Sequence, residues 1–139
     1  MKISRLPINQ IIEKIQNEEL FEAQSEDGSF NIKIAKYVPY CCFAIHSGSK
    51  LQNGLNSKIL LNEYERWYEE DPFTDSFIKS LPITLIANDS RFEYDLNRSP
   101  ENSIYTEAWG KKVWKIPLTP QEKNRVLKST KIFTKLFPH

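Results

Sequence analysis

Residues 40–45, "YCCFAI", form a run of apolar and aromatic side chains that does not alternate with polar ones, and "LPITLIA" (81–87) repeats the pattern. Strands with one wet face alternate, whereas unbroken short apolar runs belong to strands covered on both sides. Two such strands in one chain predict an α/β fold: a three-layer mixed sheet with helices on both faces. At 139 residues, 1–139 is read as a single domain with one core.

The remaining elements fall around those strands. Ile8, Ile11, Ile12 and Ile15 recur at helical spacing behind Pro7, predicting an amphipathic helix that ends near Leu20. Residues 29–37, "SFNIKIAKY", alternate after an Asp27-Gly28 turn signal and read as a half-exposed strand. A Gly- and Asn-rich loop (48–57) leads to a helix over 57–70, with Leu60, Tyr64, Trp67 and Tyr68 on one face. A second helix restarts at 71–81, with Asp71 as N-cap and Pro72 in its first position. "RFEYDLNR" (91–98) reads as a third short strand. A closing helix spans 118–137, opened by a Thr119/Glu122 capping box and stopped by Pro138.

Charge excludes some partners. Nineteen basic against eighteen acidic residues give a net charge of +1, which supplies no general electrostatic drive toward nucleic acid or an anionic membrane. No stretch is long and apolar enough to be a membrane span or a signal core, and the adjacent Cys41 and Cys42 point to opposite sides of a strand. The expectation is a cytoplasmic protein with reduced thiols. Function must therefore come from a site.

In open α/β sheets, ligands gather beyond the carboxyl ends of the strands. His46 stands at such an end, followed by Ser47-Gly48, and Ser90 and Arg91 join it if the two buried strands run parallel. The acidic cluster Glu69, Glu70, Asp71 and Asp75 offers carboxylates that could share a divalent metal such as zinc with the imidazole, although Asp71 also reads as a simple helix cap. Arg91, Asn97 and Arg98 supply two guanidinium forks and an amide, a set suited to clamping a carboxylate, with Asp95 orienting an arginine. The competing reading is a purely structural Arg/Asp network.

Taken in order, "AIHSG", "ERWYEEDPFTD", "DSRFEYDLNR" and "KVWKIPLT" resemble the N-formylglutamate amidohydrolase family, over about residues 40–123. The resemblance implies a phosphorylase/hydrolase-like fold, similar to that of zinc carboxypeptidases and aspartoacylase-like enzymes. It implies hydrolysis of an amide beside a carboxylate-bearing amino acid, as when formylglutamate yields formate and glutamate. It makes His46 a zinc ligand and puts the second ligand in the acidic block, at Asp71 or Glu70. Asn97 and Arg98 would hold the substrate carboxylate, and Arg91 would contact a carboxylate or the polarised carbonyl.

The sequence also departs from that family. Its members are longer, and the histidine and catalytic carboxylate of their later half have no counterpart here. His139 closes the chain, and Thr130 and Phe133-Thr134 stand where a histidine and a Phe-Tyr pair are expected. The chain therefore reads as the N-terminal half of the family domain, truncated, short of a third metal ligand and inactive alone. The alternative is a natural half-domain without catalysis that binds a carboxylated ligand or a partner protein, with a homo-oligomer covering its exposed sheet. An unrelated α/β domain is the third possibility.

Overall fold

A computed structural model describes residues 2–52 and 54–136, so Pro138 and His139 lie outside the described residues. It is a mixed α/β structure of four helices and a five-stranded mixed sheet. The chain runs β1 (Ser4–Leu6), α1 (Ile8–Gln16), β2 (Phe21–Ser25), β3 (Phe30–Ile34), β4 (Cys42–Ala44), α2 (Glu63–Trp67), α3 (Thr74–Ile78), β5 (Ile83–Ala87), β6 (Glu107–Ala108), β7 (Lys111–Lys112) and α4 (Pro120–Leu136). The sheet order is β1-β2-β3-β5-β4, and β6 pairs with β7 in a separate hairpin.

Parallel pairing of β4 with β5 sends the chain out of both strands at the same end of the sheet, the condition on which the sequence places Ser90 and Arg91 beside His46. The antiparallel pairs β2·β3 and β3·β5 align Ala23, Ile32 and Leu85 on one face. Ile8, Ile11 and Ile15 of α1 and Ile132, Phe133 and Leu136 of α4 cover that face. Gln24, Asn31 and Lys33 point the other way and stay partly exposed.

Local rules explain several differences from the sequence reading. Helix α1 stops at Gln16 rather than near Leu20, because Asn17 caps it and Glu18 turns left-handed (φ 53°). That stop frees residues 21–25 to become β2, a strand the periodicity did not reveal. Strand β4 is an edge strand, and Phe43 remains 42% exposed, so its run is not covered on both faces. Cys41 and Cys42 are free thiols.

Helix α2 is short and turned opposite to expectation. Asn62 caps it in a full capping box with Glu65. That start puts Arg66 and Glu70 inward, where they are buried, and leaves Tyr64, Trp67 and Tyr68 exposed. Asp71 is not a cap, nor is Pro72 a first helical residue: α3 begins at Thr74, behind a left-handed Phe73 (φ 69°). Residues 91–98 form turns rather than a strand, with Phe92, Glu93, Tyr94 and Asp95 all buried. Four consecutive buried side chains, apolar and acidic by turns, need partners on every side, which a strand face does not provide.

The second core gathers Leu55, Ile59, Phe92, Tyr105, Val113, Trp114 and Val126 from loops around the start of α4. The Thr119 hydroxyl accepts from the Glu122 amide N–H, and the Glu122 carboxylate accepts from that of Thr119, so the predicted capping box stands. Helix α4 thus spans both cores, Val126 in one and Phe133 in the other. Among the described residues, no helix is long and apolar enough to cross a membrane.

Candidate functional site

The carboxyl ends of β4 and β5 carry the site. Past β4 the chain reaches His46 and then Gly48, where an added Cβ would lie 2.3 Å from the Asn88 carbonyl carbon and 2.7 Å from the Ala87 oxygen. Glycine is required there so that this segment can lie directly on the exit of β5, a role for the Ser-Gly turn other than approach to a ligand. Lys50 then bridges to Asp89 in parallel, which fixes the two exits side by side.

His46 is held between two carboxylates. Its Nε2 lies 2.7 Å from Asp95 Oδ1 and its Nδ1 lies 3.1 Å from Asp71 Oδ2. Asp95 is 1% exposed and Asp71 48% exposed, so the imidazole links a buried acid to one at the surface. Asp95 also accepts the Asn97 amide N–H (2.8 Å), an Arg91 Nη2 hydrogen (3.1 Å) and the Tyr105 hydroxyl. Burial by itself would raise the Asp95 pKa, but the hydrogen bonds from His46, Tyr105 and the Asn97 backbone outweigh it and hold the carboxyl far below its ordinary range.

Arg91 is braced through both Nη atoms and one face of its guanidinium. It donates to the Glu69 carbonyl (3.1 Å), to Asp95 and to the Tyr105 hydroxyl (3.4 Å), approaches Asp71 at 3.5 Å, and stacks 4.8 Å from the Trp109 ring. Burial opposes its charge, but Tyr105 and Asp95 raise its pKa above the usual value. Arg98 differs: about half exposed, its guanidinium lies 4.6 Å over the Tyr105 ring and its Nε is 3.8 Å from Asp95. The Asn97 side chain lies at the surface.

Backbone strain concentrates here. Of the four non-glycine residues with positive φ among the described residues, Asp71 (42°) and Trp109 (50°) touch the site and Phe73 (69°) follows Asp71 closely. Such conformations persist only where surrounding contacts enforce them. Trp109 and Gly110 (φ 72°) form the tip of the β6–β7 hairpin, where two left-handed residues match the strand twist. Phe92 and Tyr105 hold the indole at ring separations of 5.6 and 5.7 Å.

His46, Asp71, Arg91 and Arg98 therefore lie together around Asp95, with Asn97 at the rim. Glu70 does not join them. It is buried, accepting from the Ser90 hydroxyl and from Arg66 Nε (3.4 Å), and desolvation raises its pKa. Sequence reasoning assigned Asp95 only to an arginine and missed Tyr105 and Trp109. The Trp-Gly pair between two short polar runs was the available hairpin signal.

His46 Nδ1 and Asp71 Oδ2 are the two atoms that could share a divalent cation. Ionised carboxylates only accept hydrogen bonds, so Asp95 requires a proton on Nε2, and the lone pair of a neutral ring would then face another acceptor, Asp71. That opposition is relieved by a second proton or by a metal joining Nδ1 to Oδ2. Two tetrahedral ligands at ~2.0–2.1 Å from zinc stand roughly 3.3 Å apart, close to the 3.1 Å found. Among the described residues Asp71 and His46 supply two donors and no third joins them, since Asp95 binds the far nitrogen. Beside them, Ser47 Oγ and Arg91 Nε are buried without a hydrogen-bond partner among the described residues. No family model, curated protein or solved structure matches the chain.

Proposed function

We propose that the chain carries the metal- and carboxylate-binding part of an amidohydrolase site of the N-formylglutamate amidohydrolase kind, taking an N-acyl amino acid as substrate. The observation that carries this reading is the imidazole facing a carboxylate at each ring nitrogen, one buried and one half-exposed. A ligating histidine typically donates its other N–H to a carboxylate that fixes its tautomer, and Asp95 is placed for that role. The three-layer, phosphorylase/hydrolase-like form of the sheet belongs to the same proposal.

His46 Nδ1 and Asp71 would hold the metal, zinc being the expected one. When bound, zinc polarises an amide carbonyl and acidifies water. The protein's own groups do the rest. Asp95 holds the ring in orientation, Arg91 stiffens both acids, and Arg98 and the Asn97 side-chain amide offer donors to a substrate carboxylate. With two protein ligands rather than about three, zinc binds weakly and turnover of formylglutamate by this chain alone is negligible.

A second reading has its own support. Arg91 already brings positive charge within 3.5 Å of Asp71, and a doubly protonated ring would satisfy both acids without metal, leaving a non-catalytic domain that binds a carboxylated ligand or a partner protein. Zinc titration followed by thermal melting separates the two. We expect a zinc-dependent rise in melting temperature that vanishes in both His46→Ala and Asp71→Asn. No rise, or one unchanged in both variants, overturns the metal reading.

A further inference from the structure

The guanidiniums at the site are not equivalent, and their difference specifies the ligand. Arg91 spends its Nη hydrogens on Glu69, Asp95 and Tyr105, lies beside Asp71, and has one face under Trp109. Its unpartnered Nε is buried, so it presents no open fork to an incoming anion. Among the described residues Arg98 makes only a long approach to Asp95 through Nε and rests its guanidinium on the Tyr105 ring, so no other acid among them pairs with its terminal nitrogens. One free fork clamps one carboxylate by paired hydrogen bonds. A second ligand carboxylate would find no second guanidinium fork open to it at the site.

What stands beside Arg98 is aromatic. The Trp109 indole, 46% exposed, is held in a strained left-handed turn by Arg91, Phe92 and Tyr105, which locks its orientation. The Arg98 guanidinium is 4.6 Å from the Tyr105 ring, which lies 5.7 Å from Trp109, so fork and indole lie within about 10 Å, a span suited to an N-acylated aromatic amino acid.

We propose that this site selects monocarboxylates with an aromatic or bulky apolar group, N-acyl aromatic amino acids being the class, with the carboxylate on Arg98 and the ring on Trp109. The inference rests on the amide-hydrolase reading and narrows its substrate away from the dicarboxylates that the family resemblance implies.

Calorimetric titration of the full chain with N-formyl-L-phenylalanine and N-formyl-L-glutamate, with and without zinc, tests it. The aromatic ligand should bind at least ten-fold more tightly, lose at least ten-fold in Arg98→Met, recover in part in Arg98→Lys, and weaken in Trp109→Ala. Circular dichroism identifies any variant that fails to fold; the ligand comparison on the unmodified chain still decides the matter. Equal or tighter binding of formylglutamate, binding of neither ligand, or binding indifferent to Arg98→Met overturns the proposal. The amide-hydrolase reading is judged separately on the same protein, by whether zinc stabilisation depends on His46.

Discussion

Replacing Asp95 by asparagine should be among the most damaging conservative changes in this protein. The carboxylate is 1% exposed and receives four donors at two oxygens: His46 Nε2 and the Asn97 N–H at Oδ1, and Arg91 Nη2 and the Tyr105 hydroxyl at Oδ2. An amide has one accepting end, so whichever way it is placed, two donors confront an NH2 group. Each orphaned buried donor costs about 1–3 kcal/mol. Removing the counter-charge of a buried cation costs about 3–5 kcal/mol in all, and Arg91 is only 13% exposed. For a domain of this size that corresponds to a fall in melting temperature of roughly 10–20 °C. Asp71→Asn is the internal control, because that half-exposed acid pairs with the same ring yet should contribute only about 0–1 kcal/mol.

Acid titration gives a second readout. The Asp95 pKa is lower folded than unfolded, so the unfolded chain binds more protons as the pH falls below about 4. The stabilisation is complete above that pH and is lost as the pH drops through the folded value. Asp95→Asn should flatten this acid limb. Thermal and urea melts followed by circular dichroism between pH 2.5 and 7, values on the order of those in which carboxylates titrate, measure both effects. A variant melting within about 3 °C of the parent, or keeping its full acid limb, would refute the account of Asp95 as the electrostatic hub.

Two other outcomes follow from the packing. Gly48→Ala forces a methyl onto the Asn88 backbone and should lower the unfolding free energy measured in urea by the ~1–3 kcal/mol of an overpacked core; an unchanged urea midpoint would mean that the two strand exits are not pressed together. Burial raises the Glu70 and Asp89 pKa values, so above about pH 4 the folded chain holds protons the unfolded chain has released, and stability falls as pH rises. This trend is opposite in sign to that of Asp95. Glu70→Gln should shrink the falling limb whatever it does to the absolute midpoint, and an unaltered slope would count against this origin.

Much of the frame was legible from local pattern. The apolar run of β5, the Asp27-Gly28 turn into β3, the α1 periodicity and the α4 capping box each depend on residues a few positions apart, and short-range backbone and solvation preferences express them directly. The two apolar runs were legible as strands, but their parallel pairing, which puts His46 beside the segment that bears Arg91, was only a condition until the structure supplied it.

Folding decided what those local rules do not reach. Tyr64, Trp67 and Tyr68 have helical spacing, but which side of α2 faces inward depended on whether Arg66 found Glu70 and the Leu61 carbonyl. The choice among acids was likewise made in three dimensions: Glu70 turned to Ser90, Asp71 was drawn to His46 by a left-handed backbone, and Asp95 was buried where His46, Arg91 and Tyr105 could all reach it. The sequence by itself determined which chemical groups flank the strand ends, because periodicity and chain order are local. Only the tertiary structure decided which carboxylate is charged and buried and which arginine stays free, because desolvation and counter-charge come from residues distant in the chain.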